Sequence, residues 1–411
     1  MIGRISMKLF VISQYFWPEN FTINSIATSL VNKNYKIKVI TGKPNYPTGV
    51  MFNGYKALGF QNENYKGVEV QRIPLLPRGR NVFSLAINYF SFVLSGLLFM
   101  PWLLRKEKSD VIFVYGVSPI LQAIPAIYLG WLKNVPVVLW VQDLWPESLS
   151  ATGYVTNKYV LKIVEYIVRF IYKRVDLLLV QSEAFIGPVS ELAPGTPIKY
   201  FPNSVDVSFT QPTDRQVTNL PGLDAPFSIL FAGNIGTAQA VEVILEAATL
   251  LKDQTEIQFV LLGDGSRRNW MINEAKNRGL ENLQLPGKFP VEDMPVYMQK
   301  ATALLVTLSD KKIFSKTIPN KVQAYMASGR PILASINGET ARVVTKSGAG
   351  IATPAENSGE LAHAILKLVN MNASERDKMG SNGKKYFKAH FDHDQLVEQL
   401  IILLKSAKRK I

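Results

Sequence analysis

Short apolar runs alternate with helical patterns along the first half of the chain. Several runs are continuously apolar, as in strands that are buried on both faces of a parallel sheet. The predicted strands are Lys8–Ser13, Lys36–Thr41, Val68–Ile73, Val111–Tyr115, Val135–Val141, Asp176–Val180 and Ile198–Phe201. Between the first two, apolar residues recur at helical spacing at Ile23, Ile26, Ala27, Leu30 and Val31. The alternation predicts an open α/β domain.

The second half repeats this alternation. Its predicted strands are Ser228–Ala232, Ile257–Leu262, Ala303–Thr307, Ile332–Ser335 and Gly350–Ala352. The helix after the first of them carries an apolar stripe at Val241, Ile244, Leu245, Ala248 and Leu251. A second α/β domain is therefore expected.

Between the halves, residues 206–226 are polar, contain proline and lack periodicity, which predicts an interdomain linker. We expect an N-terminal Rossmann-like domain over 1–205, a second over 227–390, and a final helix with a basic tail over 391–411. Two domains suit a chain of 411 residues. Ligand sites are expected at the carboxyl ends of the strands, with the active site in a cleft between the domains.

Residues 82–104 depart from this pattern, since they contain no charged residue and are followed by Arg105, Lys106 and Lys108. The segment is long enough to span a bilayer of about 30 Å. A span would, however, place two parts of one parallel sheet on opposite sides of the membrane. Three interpretations stay open: a span, a helix lying in the interface of an anionic membrane, and an ordinary buried helix. The tail could reinforce attachment or be a solvated terminus; its basic residues are Lys405, Lys408, Arg409 and Lys410.

Two loops of the second half suit an anionic ligand. Residues 314–331 run from a turn with Lys316 into a short helix that begins near Lys321 and stops at a glycine. The glycine-containing segment 231–237 also precedes a helix. Helix N-termini and ammonium groups attract anions, so a nucleotide-diphosphate pocket is predicted. The candidate residues are Gly233, Gly236, Gly263, Asp264, Lys316 and Lys321. The competing interpretation for each is an ordinary turn residue or a solvated charge.

The densest polar and aromatic cluster of the first half is Trp140–Ser148, directly after a predicted strand. Asp143 and Glu147 are its carboxylates and the candidate catalytic residues, together with Lys321. Asp143 could cap a helix, or it could accept hydrogen bonds from sugar hydroxyls and act as a base.

Composition and charge narrow the partners. The net charge of +14 favours an anionic partner, but no nucleic-acid motif is present, so nucleic acid is not expected. The chain has no cysteine. Neither a G-x-G-x-x-G after the first strand nor a P-loop occurs, and the three histidines lack metal-ligand spacing, so neither a cofactor nor a metal is expected. No signal peptide is expected, and Met7 could be the true start.

With these motifs the chain resembles bacterial glycosyltransferases of family 4, over essentially its whole length from Met7. The resemblance rests on residues 12–20, 41–47, 140–148 and 234–239, and is most specific for the L-fucosamine (N-acetyl-L-fucosamine) transferases of O-antigen and capsule gene clusters. It implies the GT-B fold, two Rossmann-like α/β/α domains facing a central cleft. The implied reaction moves a sugar from a UDP-sugar to an undecaprenyl-diphosphate-linked saccharide, with retention and without metal, peripherally at the cytoplasmic face of the inner membrane.

The resemblance also implies where each substrate binds. The nucleotide would lie in the second domain and the last helix would cross back to the first. Further donor-side candidates are Asn234, Thr237, Gln239, Lys288, Phe289 and Gln323. The acceptor-side candidates are Trp17, Glu19, Asn20, Asn45, Tyr46, Gln142 and Asp143.

The chain departs from the family at several of these positions. Lys316 and Ala324 stand where many members have two glutamates, and Gln323 could partly substitute for the second. Asn234 and Gln239 stand where many members have an arginine and a lysine. Lysine and backbone N–H groups would then have to bind the negatively charged phosphates. We expect Lys321 to be an exposed clamp, so Lys321→Ala should lower turnover about tenfold or more with little change in thermal stability.

Two other functions stay open. One is a nucleotide-sugar 2-epimerase with the same two-domain fold, and the apolar segment 82–104 and the basic tail argue against it. The other is a non-catalytic sugar-nucleotide binding partner, which the missing glutamate pair keeps possible, because fold does not imply activity.

Overall fold

The chain folds into two units in a computed structural model that describes residues 7–409 except 80, 152–154, 206 and 211–214. The first unit is Met1–Pro202 with Asp394–Ile411, and the second is Asn203–His393. Each has its own sheet and core. The possible start at Met7 and the tail residue Lys410 concern residues outside the described part.

The first unit contains an eight-stranded sheet in the order β3-β4-β2-β1-β5-β6-β7-β8. Its strands are β1 Lys8–Ile12, β2 Lys36–Thr41, β3 Gln61–Tyr65, β4 Val68–Arg72, β5 Val111–Gly116, β6 Val137–Val141, β7 Leu177–Val180 and β8 Ile198–Tyr200. All seven strands predicted for this half are confirmed. The strand β3 was not predicted; it is a polar edge strand that pairs antiparallel with β4. Every other pair is parallel.

Helices cover both faces of this sheet. They are α1 Thr22–Asn32, α2 Val82–Leu103, α3 Ala123–Lys133, α4 Glu147–Ala151, α5 Lys158–Arg174, α6 Ile186–Leu192 and, from the end of the chain, α14 His393–Ser406. On one face, α1 and α14 share a core with alternate strand residues such as Leu9 and Val11. On the other face, α3 packs on β5 and β6, with α2 and α5 beside it. Side chains of β5 alternate between the two faces. Ile112 lies against Gly130 of α3, whereas its neighbours Val111 and Phe113 face the α1 side.

The chain end is tied to the first unit. Leu396, Val397 and Leu400 of α14 are buried in its core. Arg409 forms an ion pair of 3.0 Å with the buried carboxylate of Asp176. Arg409 is therefore neither a free charge for membrane attachment nor a solvated terminus.

The second unit contains a six-stranded parallel sheet in the order β11-β10-β9-β12-β13-β14. Its strands are β9 Phe227–Ala232, β10 Ile257–Leu262, β11 Leu283–Gly287, β12 Ala303–Thr307, β13 Ile332–Ser335 and β14 Gly350–Thr353. Its helices are α7 Glu242–Leu250, α8 Arg268–Asn277, α9 Met294–Lys300, α10 Asn320–Ser328, α11 Glu339–Ser347, α12 Ser358–Val369 and α13 Ala373–His390. The five predicted strands and the apolar stripe from Val241 to Leu251 are confirmed. The strand β11 was not predicted; it is an edge strand that contains a proline.

The predicted linker 206–226 differs from what the structure shows. Its described part belongs to the second unit, where Leu220 and Leu223 are buried in the core. The sequence did not indicate this packing, because the two leucines do not belong to a helical or strand-like apolar pattern.

Candidate functional site

The carboxyl edge of the second sheet places three glycine loops side by side. Gly233 follows β9 and Gly263 follows β10, with φ of 143° and 145°. A Cβ on Gly263 would lie 1.8 Å from the Gly233 carbonyl oxygen, so this glycine permits the close approach of the two loops. The Gly263 N–H donates to the carbonyl oxygen of Gly287, the last residue of β11, at 2.8 Å, which brings the end of β11 to the same place.

Lys321 fills the space above Gly233. It is the second residue of α10, and its Nζ lies 3.1 Å from the position of a Cβ on Gly233 and 3.9 Å from the ring centroid of Phe231. The Nζ is buried and has no hydrogen-bond partner among the described residues. Burial lowers the pKa of Lys321 to about 7. The expectation of an exposed clamp is therefore wrong, because α10 packs its first turn directly on the end of β9.

Tyr325 fixes this arrangement one turn further along α10. Its hydroxyl oxygen accepts from the Ala232 N–H at 3.0 Å, so Lys321 and Tyr325 both contact the carboxyl end of β9. Their spacing of four residues is the sequence signal that could have joined them. Tyr325 was not among the residues predicted from the sequence.

Ser309 supplies a second unpaired polar atom at this edge. It follows β12, the neighbour of β9 in the sheet, and its N–H donates to the Ala238 carbonyl oxygen at 3.0 Å. Its Oγ is buried without a partner among the described residues. The chain order reverses between β9 and β12, and ligands of open α/β sheets bind at such points. The edge therefore offers a buried amine and an unpaired hydroxyl to a ligand.

The remaining donor-side candidates divide into loop contacts and exposed positions. The Asn234 Nδ2 donates to the Gln239 Oε1 at 2.9 Å, and the Asp264 Oδ1 accepts from the Gly265 N–H at 2.8 Å. Thr237 and Lys288 are exposed, whereas Gly236 is buried. Lys316 is half-buried in the turn before α10.

Gln323 and Phe289 are engaged within the unit. The Gln323 side chain is fully buried, and with its amide nitrogen turned inward it donates to the carbonyl oxygens of Pro319 and Asn320 at 2.8 and 3.1 Å. Phe289 packs edge-on against Tyr297 with ring centroids 5.3 Å apart. The Gln323 amide is thus occupied by its own helix, and its partial substitution for the second glutamate stays an untested prediction.

At the carboxyl edge of the first sheet, Asp143 is held by Ser118. The Asp143 Oδ2 accepts from the Ser118 N–H at 3.2 Å and from its hydroxyl at 3.1 Å. Trp145 Nε1 donates to the same hydroxyl oxygen at 2.9 Å. Burial raises the pKa of Asp143 while the Ser118 donors lower it. Ser118 was not identified from the sequence, and Asp143 contacts a neighbouring loop rather than simply capping a helix.

Glu147 is exposed at the start of α4. It borders a cavity of about 380 Å³ that Glu165, Arg169 and Glu191 also line. Gln142 is nearly buried, and its carbonyl oxygen accepts from Gln181 Nε2 at 3.4 Å.

Glu19 lies in the interior of the first unit and joins two loops. Its carboxylate accepts from the backbone N–H groups of Asn45, Tyr46 and Phe16 at 2.8, 2.7 and 3.3 Å. Burial raises the pKa of Glu19 to about 7, against the opposing effect of these donors. Its observed contacts position the loop after β2.

The other acceptor-side candidates lie on the same two loops. Asn45 is fully buried and accepts from the Arg78 N–H at 2.9 Å. The Tyr46 ring packs against Tyr15, with centroids 5.3 Å apart, and remains partly exposed. Trp17 stacks on Tyr65 at 4.9 Å, and Asn20 is exposed.

Two family matches cover most of the chain. Residues 20–204 match the glycosyl transferase 4-like domain, and residues 212–386 match the glycosyl transferases group 1. The matches correspond closely to the two units. The chain therefore combines the two domains of a glycosyltransferase.

Curated relatives carry similar descriptions. The probable glycosyltransferase WbjE of Pseudomonas aeruginosa is 25% identical over 287 residues, which cover 66% of this chain and 68% of the relative. The putative colanic acid biosynthesis glycosyl transferase WcaI of Escherichia coli K12 is 26% identical over 342 residues, covering 79% and 82%.

Solved structures confirm the predicted GT-B fold. Sucrose-phosphate synthase from Thermosynechococcus elongatus matches with a TM-score of 0.76 at 16% identity, covering 97% of this chain and 98% of that chain. Anabaena HepE in complex with UDP matches with a TM-score of 0.68 at 14% identity, covering 97% and 100%.

Proposed function

We propose that the protein is a retaining glycosyltransferase that moves a sugar from a UDP-sugar to an undecaprenyl-diphosphate-linked saccharide in polysaccharide biosynthesis. N-acetyl-L-fucosamine is the proposed sugar, on the resemblance described above. The observation that carries the donor assignment is the buried, unpaired Nζ of Lys321 above Gly233.

Lys321 suits a diphosphate for a physical reason. A buried amine without a partner costs free energy, and an arriving anion returns the lost interaction. The start of α10 adds the positive end of its dipole at the same place. When the bond between the anomeric carbon and the diphosphate oxygen breaks, negative charge grows on the leaving UDP, and a preorganised cation stabilises it. We therefore expect transfer without a divalent cation.

The acceptor hydroxyl must lose a proton as it bonds to the anomeric carbon. In attack from the face of the leaving group, a diphosphate oxygen of UDP accepts that proton. The alternative acceptor is Asp143, whose raised pKa makes its carboxylate a stronger base. Neither route requires a covalent sugar–enzyme intermediate.

The comparisons support parts of this proposal. HepE was solved with UDP, and WcaI is described by a role in colanic acid biosynthesis. By extension to this chain, we propose a nucleotide-sugar donor, a growing lipid-linked saccharide as acceptor and a peripheral position on the cytoplasmic face of the inner membrane.

A radiolabel transfer assay tests the proposal. Purified protein is mixed with labelled UDP-N-acetyl-L-fucosamine and an undecaprenyl-diphosphate-linked N-acetyl sugar, with EDTA present. Label in the lipid fraction supports donor, acceptor class and metal independence together. Interconversion of the UDP-sugar without transfer would favour the epimerase, and silence across a panel of UDP-sugars would favour a non-catalytic binding partner.

A further inference from the structure

The outer surface of one helical layer of the first unit is apolar where a water-facing surface is usually polar. The layer consists of α2, α3 and α5, which pack side by side on the face of the sheet opposite α1 and α14. Large side chains project outward from all three helices. Those most exposed include Phe83 at 76%, Phe90 at 60% and Leu98 at 59% on α2, Trp131 at 65% on α3, and Tyr159 at 82%, Ile163 at 59% and Tyr166 at 63% on α5. We call this set the apolar face.

On α5 the exposed residues form a single stripe. Tyr159, Ile163, Tyr166 and Phe170 recur at intervals of four, three and four residues, which places them along one side of the helix. The opposite side is buried through Val168 and Ile171. Thus α5 has two apolar sides. One side packs inside the unit, and no described residue of the unit covers the other.

The charges around the apolar face are almost all basic. Across α2, α3 and α5 the only acidic residue is Glu165, which pairs with Arg169 at 3.0 Å. Exposed basic residues border the stripe and follow α2; they are Lys158, Lys162, Lys173, Arg174, Arg105, Lys106 and Lys108. Aromatic side chains with a basic rim are the composition of helices that lie in the interface of an anionic membrane.

The structure argues against a membrane span by α2. Among the described residues, α2 is the one helix with the length and composition to cross a bilayer. Its inner side, however, is built into the unit. The Asn88 Oδ1 accepts from Gln14 Nε2 at 2.9 Å, its Nδ2 donates to the Leu76 carbonyl oxygen at 2.6 Å, and Gly96 lies directly against Pro125 of α3. A span would withdraw α2 from these contacts.

We propose that the apolar face of α2, α3 and α5 lies flat on an anionic lipid bilayer and inserts its aromatic side chains among the headgroups. The partner is a membrane rather than a second copy of the chain, because self-association through this face would bring two basic rims together. The inference rests on the proposed function in one respect only: a lipid-linked acceptor would explain why the protein binds a membrane. It assigns attachment to α3 and α5 as well as α2, and not to the basic tail.

Co-sedimentation of the full chain with lipid vesicles tests the inference. Vesicles of phosphatidylcholine alone and with added phosphatidylglycerol are compared at low and high salt. We expect binding to the anionic vesicles that weakens with salt. The triple variant Phe83→Ser, Trp131→Ser, Tyr166→Ser should bind at least about tenfold more weakly. The control Ile402→Ser removes an equally exposed side chain from α14, on the other face of the sheet, and should bind like the wild type.

A charge-reversal pair provides an independent measurement. Lys162→Glu with Lys173→Glu should weaken binding by more than about 25-fold, because losing each lysine near an anionic surface weakens binding about fivefold and each new carboxylate adds repulsion. Lys405→Glu with Lys408→Glu on the tail is the matched control and should leave binding within about twofold. Loss of binding in the tail variant alone, or no vesicle binding by the wild type, would overturn the inference.

Two further readouts separate the alternatives. If sedimentation velocity shows a dimer for the wild type and a monomer for the triple variant, the partner of the apolar face is a second copy of the chain and not a membrane. UDP binding is measured on the same variants and should not change, because the face lies in the first unit and the donor candidates in the second. Vesicle binding without UDP binding by the wild type would refute the donor assignment and leave the membrane face standing.

Discussion

Lys321→Met should stabilise the protein and abolish donor binding. Burial lowers the pKa of Lys321 from 10.5 to about 7. At about 1.4 kcal/mol per pKa unit, this lysine costs the folded state roughly 4 kcal/mol at pH 7 and roughly 2 kcal/mol at pH 9. Methionine has a similar length and no charge, and it packs well against an aromatic ring such as Phe231. The variant should therefore gain stability of this order.

The sign of the pH dependence follows from the same pKa. Between pH 7 and about 10.5 the unfolded chain holds a proton on Lys321 that the folded chain lacks, so wild-type stability rises with pH in this window. The advantage of Lys321→Met should shrink accordingly from pH 7 to pH 9. Urea unfolding followed by fluorescence at several pH values measures it, with Lys367→Met on the exposed side of α12 as the control.

Donor binding supplies the second half of this prediction. UDP should raise the melting temperature of the wild type and not that of Lys321→Met, because the anion pairs with the ammonium. At pH 8 binding should take up about one proton, which calorimetry in buffers of different ionisation enthalpy detects. A variant that is no more stable than the wild type at pH 7, or that binds UDP normally, would refute the reasoning.

Three other substitutions separate donor binding, folding and chemistry. Gly233→Ala places a methyl group 3.1 Å from the Lys321 Nζ at a φ of 143° and should weaken UDP binding about tenfold by calorimetry, whereas Gly187→Ala, with open space around it, should not. Glu19→Ala leaves three backbone N–H groups without their acceptor and should lower the free energy of unfolding by roughly 2 kcal/mol or more in urea titrations, while the exposed Glu147→Ala should change it by less than about 0.5 kcal/mol. Asp143→Asn should lower turnover about 100-fold with UDP binding unchanged. Unaltered turnover would exclude Asp143 as the base and leave the departing diphosphate as the acceptor of the proton.

The strands illustrate how far local patterns reach. Runs such as Ile257–Leu262 and Ala303–Thr307 were predicted to the residue, because a strand buried on both faces must be apolar throughout. The two missed strands lie at sheet edges. Gln61–Tyr65 is polar because it needs to cover little core. Leu283–Gly287 tolerates a proline because some backbone N–H groups of an edge strand have no partner strand to donate to.

The candidate site shows the opposite limit. Lys321 was identified from its place at a helix start, but the burial of its ammonium depends on Phe231 and Gly233, about ninety residues earlier in the chain. Ser309 and Ser118 carried no motif. They matter because a sheet edge brings the ends of distant strands together, so that one serine lacks a partner and the other holds Asp143.

The sequence alone determined the α/β class, the two-domain plan, most strands and the anionic character of the expected ligand, because periodicity, helix starts and net charge are local or additive properties. Only the tertiary structure decided which polar groups lose their water, which carboxylate joins loops and which apolar side chains stay outside the core. Burial depends on residues far apart in the chain. For that reason Lys321 is a desolvated amine rather than an exposed clamp, and 82–104 is one helix of a packed layer whose outer side remains uncovered in its own unit.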